Sequence, residues 1–195
     1  MIKNSKLEQP HSFKILSATT LEEASVKYKD IWENLNTHKD ICLFDIDGVF
    51  FERFISIRFL LFIISKSKLE AAKKIVNHGS RWIFTDRPWI LMIPILNQLR
   101  RVFQIHDQNH TFDNHSNFNG KIEKYSPFYS IIYHASKRTR LAEETIKITC
   151  QNFDRVFYFA SQDLPTSYED LGLLERIEQE NPDILKNLTF VDIRK

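Results

Sequence analysis

Short apolar runs alternate along the chain with longer amphipathic segments. Four such runs predict strands: Ile41–Phe44, Arg81–Phe84, Val156–Ala160 and Leu188–Ile193. Segments with apolar residues at helical spacing begin near Thr20, Ser65, Pro88, Lys137 and Glu169. Strands that alternate with helices predict an α/β fold, here a Rossmann-like three-layer α/β/α sandwich with a mostly parallel sheet.

The first helix carries a start signal. Thr20 is followed three positions later by Glu23, which is the spacing of a capping box. From Leu21 to Leu35, apolar residues recur at steps of three and four, which predicts one buried face. Three stretches lack such a clear pattern: residues 1–18, residues 104–120 (predicted as a long loop) and residues 125–134 (helix or strand).

Length and charge narrow the classes of function. A chain of 195 residues is long enough for one domain with an appendage. Its 27 Lys and Arg against 25 Asp and Glu leave a net charge of +2, which gives no electrostatic reason to expect nucleic acid or a membrane as the main partner. The four glycines stand alone, so the chain has no glycine-rich phosphate loop of the P-loop or dinucleotide-binding kind.

The two cysteines, Cys42 and Cys150, are too few for a disulfide framework or a four-cysteine zinc site. Neither is followed by an arginine at the spacing of the cysteine-dependent phosphatases. The first residues lack the apolar core of a signal peptide, and the longest apolar runs fall far short of the ~20 residues of a membrane span. We therefore expect a soluble cytoplasmic protein with reduced thiols, although a secreted effector would share these features.

Chemistry-bearing side chains follow three of the predicted strands. Asp45 and Asp47 come directly after the first strand, Thr85 ends the second, and Asp163 follows the third. Lys137 stands at the start of the helix that leads into the third strand. Because sites in parallel α/β sheets form at the carboxyl ends of the strands, we expect these five side chains to converge on one edge.

The spacing of Asp45, Ile46 and Asp47 has a geometric consequence. Alternate residues of an extended segment point the same way, so the two carboxylates can share a pocket while Ile46 turns into the core. Two close carboxylates favour a bound cation, and Mg²⁺ prefers a few oxygen ligands together with phosphate. Gly48 lets the chain turn away without placing a side chain in the pocket.

These residues resemble the motifs of the haloacid dehalogenase (HAD) superfamily of phosphatases. The segment from Asp45 to Val49, after an apolar strand, is similar to the first motif of that family. Thr85 matches the second motif and Lys137 is the best match to the third. The resemblance extends over about residues 41–170.

The fourth motif departs from the family pattern. The family usually has Gly-Asp directly after the strand, whereas this chain has Ala160, Ser161 and Gln162 before Asp163. Asp163 is the first choice for the remaining metal ligand, and Asp170 is the second.

The resemblance implies a mechanism. Asp45 attacks phosphorus and forms an aspartyl-phosphate, while Asp47 protonates the leaving oxygen and later takes a proton from water. Mg²⁺, held by Asp45, the Asp47 backbone carbonyl and Asp163, offsets phosphoryl charge. Thr85 hydrogen-bonds a phosphoryl oxygen, and Lys137 stabilises the nucleophile and the developing charge.

The predicted organisation is an N-terminal helical extension, residues 1–40, before a HAD-like catalytic domain, residues 41–195. Residues 50–80 suffice only for a small helical cap, which implies an open site. In the family, open sites go with macromolecular substrates, so the leading hypothesis is a phosphatase of phosphoproteins, with phosphotyrosine as one target. Four aromatic residues near the motifs are candidates to flank an aromatic leaving group: Phe50, Phe51, Phe54 and Trp89.

Other interpretations stay open. Within enzymes, the alternative is a small-molecule or nucleic-acid-end phosphatase; outside them, it is a non-catalytic HAD-like binding module, which the irregular fourth motif supports.

Single residues also have structural interpretations. Thr85 fits a helix cap, Lys137 fits a solvated helix start and Asp163 fits a turn. Residues 50–68 fit a core or lid segment better than a membrane contact. The histidines and acids of residues 106–115 match no closed metal site, and a polar loop is the simpler interpretation.

Overall fold

Strands and helices alternate along the chain, as the apolar pattern predicts. The structure is a computed structural model that describes residues 11–36, 39–51, 63–76, 80–85, 94–95, 98–99, 130–133, 140–161 and 168–194. The strands are β1 (Lys14–Ala18), β2 (Asp40–Phe44), β3 (Ser80–Thr85), β4 (Ser130–Tyr133), β5 (Arg155–Ala160) and β6 (Leu188–Ile193). The helices are α1 (Leu21–Lys27), α2 (Lys29–Glu33), α3 (Lys66–Ile75), α4 (Arg140–Asn152) and α5 (Tyr168–Glu180), followed by a 3₁₀ turn at Pro182–Leu185.

These strands form one parallel sheet in the order β1-β6-β5-β2-β3-β4. From β2 the chain moves outward to β3 and β4, and it then returns to the other side of β2 for β5 and β6. The boundary between β2 and β5 is therefore the switch point of the sheet, where successive connections leave in opposite directions. Ligands of open parallel sheets bind outside the carboxyl ends of the strands at such a point.

Helices cover both faces of the sheet, which makes the three predicted layers. Cys42 and Phe44 of β2 belong to the core cluster that also holds buried residues of α1, α2 and α3. Ile41 and Leu43 belong to a second cluster on the opposite face, with residues of α4 and α5. A strand buried on both faces is apolar at successive positions, which is why a continuous apolar run predicts β2. The predicted fold class is confirmed.

The N-terminal residues contain a strand as well as helices. β1 pairs with β6 along its whole length, from Lys14 opposite Thr189 to Ala18 opposite Ile193. It shows no periodicity in the sequence because it is an edge strand, of which only Ala18 is buried. The segment predicted as a helical extension thus also supplies the edge of the sheet.

The predicted start of α1 is confirmed at its cap. The Thr20 hydroxyl oxygen accepts a hydrogen bond from the backbone N–H of Glu23, 3.0 Å away. The Glu23 carboxylate reaches back to the backbone N–H of Thr19 at 2.8 Å, so the box closes one residue earlier than the spacing predicts. Both bonds satisfy donors that a helix start would otherwise leave unpaired.

Part of residues 50–80, predicted as a small cap, is a layer of the sandwich. Ala72 and Ile75 of α3 and the following Val76 are fully buried in the same core cluster as α1. This helix packs beside α1 and α2 and buries its apolar stripe in the core on that face of the sheet. Residues 52–62 lie outside the described residues.

Several other predicted elements have partial outcomes. Within the ambiguous stretch 125–134, the described residues Ser130–Tyr133 form β4, so the strand alternative is correct for them. The helix predicted from Pro88 lies outside the described residues except at 94–95 and 98–99, where Ile95 and Leu99 are buried. The loop predicted over 104–120, with its histidines, lies outside them entirely. Within the described ranges, every helix falls short of the length and apolarity needed to cross a membrane.

Candidate functional site

Asp45 lies at the switch point of the sheet, directly after β2. Its backbone N–H donates to the Phe159 carbonyl of β5 at 2.9 Å, which extends the pairing of the two strands to this residue. Its side chain is buried, and one carboxylate oxygen accepts the backbone N–H of Ile46 at 2.8 Å. The carboxylate is therefore held at the carboxyl end of β2, where the sequence predicts a site.

A tight turn follows Asp45. The backbone N–H groups of Phe50 and Phe51 both donate to the Ile46 carbonyl, at 3.1 and 3.4 Å, and Gly48 N–H donates to the Phe51 carbonyl at 3.1 Å. Ile46 is fully buried in the core, whereas Asp47 is only partly buried. The predicted inward turn of Ile46 is confirmed, and the turn leaves Asp47 partly accessible to solvent. We call residues 45–51 the Asp-x-Asp loop.

Gly48 of the Asp-x-Asp loop lies directly against Ser161, the residue that follows β5. Its φ is +78°, a backbone conformation that side chains disfavour. A Cβ on this residue would lie 2.2 Å from the Cβ and 2.9 Å from the hydroxyl oxygen of Ser161. The chain leaving β2 therefore rests directly on the chain leaving β5, and two independent constraints require glycine here.

Ser161 is a residue of this site that the sequence reasoning passed over. It follows β5 directly and its side chain is buried against Gly48. Its position relative to β5 is that of Asp45 relative to β2, and this parallel is the signal that could have found it. The carboxyl end of β5 at the switch point thus carries a buried hydroxyl, which lies against Gly48 of the Asp-x-Asp loop.

The remaining predicted site residues have different outcomes. Thr85 is the last residue of β3, the other neighbour of β2, so its backbone lies at the same edge as Asp45. The side chain of Thr85, and all of Lys137 and Asp163, lie outside the described residues. The structure therefore brings Asp45, Asp47 and the backbone of Thr85 to the end of the sheet where the strands finish.

Asp170, the second choice for the fourth motif, is hydrogen-bonded to a residue within β5. It is buried in the first turn of α5, where it accepts a hydrogen bond from the Tyr158 hydroxyl of β5. In the described part of the chain, no three His, Cys, Asp or Glu side chains form a group that could hold a metal ion. The donors that are described at the carboxyl end of β2, Asp45 and Asp47, are oxygen donors of the kind Mg²⁺ prefers.

The predicted role of Phe50 and Phe51 is wrong. Their side chains are 2% and 3% exposed, and both belong to the core cluster under α1 and α3. The Phe50 ring lies 5.9 Å from the ring of Phe44 in β2. These residues anchor the Asp-x-Asp loop to the core and do not flank a leaving group. Phe54 and Trp89 lie outside the described residues.

Neither cysteine has the environment of a nucleophile. Burial raises the pKa of the Cys42 thiol far above its ordinary value, and it raises the pKa of Cys150 to about 12. Reactive cysteines are exposed and have lowered pKa values because the thiolate is the nucleophile. The carboxylates of the Asp-x-Asp loop are thus better candidates for nucleophilic chemistry than either thiol.

A separate groove of about 610 Å³ lies between α1, α2 and α3. Its walls include Val26 and Trp32 together with three lysines and two glutamates. None of these residues follows a strand of the sheet. The groove therefore belongs to the helical layer and is distinct from the edge that carries Asp45.

Comparison of the chain with models of protein families, with curated proteins and with solved structures finds no match. The resemblance to HAD phosphatases therefore stays a prediction. It depends on the motif residues and on their placement in the sheet.

Proposed function

We propose that this chain is a Mg²⁺-dependent phosphatase that uses Asp45 as its nucleophile and acts on phosphoproteins. One observation carries the proposal: the Asp-x-Asp loop leaves β2 at the switch point and is packed through Gly48 onto the end of β5. Many functions share an α/β sandwich, so the argument depends on this site and not on the fold.

The two carboxylates have environments that suit different roles. Asp45 is buried and held by the Ile46 N–H, which favours a fixed nucleophile whose oxygen attacks phosphorus as the bond to the leaving oxygen breaks. Asp47 is more accessible and can give its proton to that leaving oxygen. In the second step, Asp47 takes a proton from the water that attacks phosphorus, and phosphate leaves with Asp45 restored.

The metal fits the described donors. Asp45 and the Asp47 backbone carbonyl would hold Mg²⁺, with Asp163 as the proposed third ligand. The ion, when bound, neutralises charge on the phosphoryl oxygens. Thr85, on the strand next to β2, and Lys137 are proposed to bind the same oxygens.

The substrate class rests on the openness of the site. We infer an open site because the segment between the first two motifs, residues 50–80, is too short for a large cap, and its helix α3 packs in a helical layer of the sandwich. An accessible edge admits a phosphorylated side chain of a folded protein. Phosphotyrosine has less support than phosphoproteins in general, because Phe50 and Phe51 are core residues.

Hydrolysis of p-nitrophenyl phosphate tests the chemistry. Wild type, Asp45→Asn and the control Asp154→Asn are compared with Mg²⁺ and with EDTA; Asp154 is exposed and precedes the amino end of β5. We expect kcat to fall by about 10³-fold or more in Asp45→Asn, because the nucleophile is lost, and to be unchanged in the control. Equal activity of Asp45→Asn and wild type would disprove the proposal.

A non-catalytic binding module is the second candidate. The specific observation in its favour is Ser161, a neutral residue buried directly after β5 and against the Asp-x-Asp loop. Such a module would bind Mg²⁺ and beryllium fluoride at Asp45 without turning over any phosphomonoester. Fluorine NMR of the beryllium fluoride complex of wild type and Asp45→Asn, together with a phosphopeptide panel, separates the two candidates.

A further inference from the structure

Lys68 is a buried lysine beside the Asp-x-Asp loop. It lies in the first turn of α3, and only 5% of the residue is exposed. Its ammonium donates a hydrogen bond to the backbone carbonyl of Val49 at 3.1 Å. Lysine is rarely buried to this extent, because taking an ammonium out of water costs free energy that hydrogen bonds must offset.

The carbonyl that Lys68 binds belongs to the turn after Asp47. Three backbone bonds close that turn: the amides of Phe50 and Phe51 donate to Ile46, and the amide of Gly48 donates to Phe51. None of these three bonds uses the Val49 carbonyl. Lys68 therefore adds a link between the turn and α3 that the backbone of the loop does not supply by itself.

The link brings a positive charge to the loop that carries both acids. Asp47 and Val49 are two residues apart, so their Cα atoms are separated by at most about 7 Å. The bond from Lys68 opposes rotation of the turn, because hydrogen bonds that involve a charged group are stronger than neutral ones.

We propose that Lys68 is a positioning residue, which holds the Asp-x-Asp loop in the conformation that presents Asp47 to a phosphoryl substrate. The inference rests on the proposed function for its effect on catalysis. Its effect on the loop itself is independent of that function and can be measured separately.

Amide hydrogen exchange measures the effect on the loop. The variants are Lys68→Met, Lys68→Arg and the control Lys66→Met, which removes an exposed lysine of the same helix. We expect Lys68→Met to speed exchange at Gly48, Phe50 and Phe51 about tenfold or more, with little change at Val156–Ala160 of β5. Lys68→Arg should recover most of the protection, and the control should match wild type.

Steady-state kinetics measure the effect on the site. With p-nitrophenyl phosphate and saturating Mg²⁺, we expect Lys68→Met to lower kcat by about tenfold or more and to change KM by less than about threefold. This pattern is that of a misplaced catalytic group. A change confined to KM would overturn the positioning role.

Other outcomes also decide the matter. Unchanged exchange in the loop of Lys68→Met, or equal acceleration in the loop and in β5 without recovery in Lys68→Arg, would show that Lys68 only stabilises the fold. If Lys68→Met does not fold, Lys68→Gln replaces it, because glutamine keeps a donor and loses the charge. If wild type is inactive but the exchange result holds, the proposed function fails and the anchoring of the loop stands.

Discussion

Gly48 is subject to two separate constraints, one on its backbone and one on the space around it. Its positive φ disfavours any side chain, and the side chain of Ser161 occupies the space where a Cβ would stand. A glycine needed only for its backbone freedom would tolerate alanine at a modest cost. Here the steric part of the cost depends on a residue far away in the sequence, so the two parts can be separated by experiment.

A double-mutant cycle at Gly48 and Ser161 separates them. We expect Gly48→Ala to lower the free energy of unfolding by about 2–4 kcal/mol, from backbone strain and overpacking together. In the Ser161→Gly background the nearest remaining atom is the Ser161 Cα at 3.6 Å, an ordinary contact. The cost of Gly48→Ala should therefore fall by at least about 1 kcal/mol there. Denaturant unfolding of the four proteins checks this, and equal costs in both backgrounds would contradict the packing.

At the scale of elements, the pairing of β2 with β5 has a polar anchor at its amino end. Arg155 donates to both oxygens of Asp40, from Nε at 2.8 Å and from Nη2 at 2.5 Å. Asp40 is almost fully buried, and it also accepts the backbone N–H of Asn36 at 2.6 Å. Arg155 in turn donates to the Asn34 carbonyl at 2.6 Å. The bidentate pair holds the two central strands and the end of the α2 segment together.

Removal of Arg155 should destabilise the sheet. We expect Arg155→Met to lower the free energy of unfolding by about 2–3 kcal/mol, because it leaves a buried carboxylate without its cation. The neighbouring pair of Lys39 and Asp154, 3.6 Å apart and exposed on both sides, is a matched control. Lys39→Met should cost less than about 0.5 kcal/mol. Thermal unfolding of both variants checks the difference. Similar losses of stability in the two variants would mean that the burial of Asp40 does not increase the contribution of its ion pair to stability.

At the scale of the whole molecule, the N-terminal residues join the edge of the sheet to a helix that packs on one of its faces. β1 pairs with β6, and the residues before it contact α5 on the other layer. His11 lies 2.9 Å from one oxygen of Glu178, whose other oxygen accepts the backbone N–H of Ser12. Partial burial raises the pKa of Glu178, but the hydrogen bonds from His11 and Ser12 outweigh it, and the pKa is lowered from its ordinary value of 4.5.

The lowered pKa gives this contact a pH dependence. A carboxyl group with a lower pKa in the folded state stabilises the protein above the unfolded value of 4.5, and that stability is lost as the pH falls through the folded value. We expect Glu178→Gln to lower the free energy of unfolding by about 1 kcal/mol at neutral pH, with a shrinking difference below about pH 4. Glu175→Gln, an exposed change in the same helix, is the control. A difference that is constant with pH would contradict the role of the charge.

The site was partly predictable from the sequence. Asp45, Asp47 and Gly48 follow a continuous apolar run, and both the run and the turn are signals that neighbouring residues carry. Ser161 also follows an apolar run, but its contact with Gly48 and the contact of Lys68 with Val49 join residues that are distant along the chain, and no local pattern predicts them. The prediction that Phe50 and Phe51 flank a leaving group is wrong because nearness to a motif in sequence does not show which way an aromatic side chain turns.

The sequence by itself determined the central strands β2 and β5, which are apolar on both faces, and the start of α1, which has a capping signal. It also determined which acids follow β2. Periodicity and capping act between near neighbours, so the chain carries them locally. Only the tertiary structure decided the strand order, the edge strand β1, the switch point between β2 and β5, and the contact of Gly48 with Ser161. These features depend on packing between segments that are far apart in the chain. A local pattern shows that a face is buried, but it does not show which segment packs against that face.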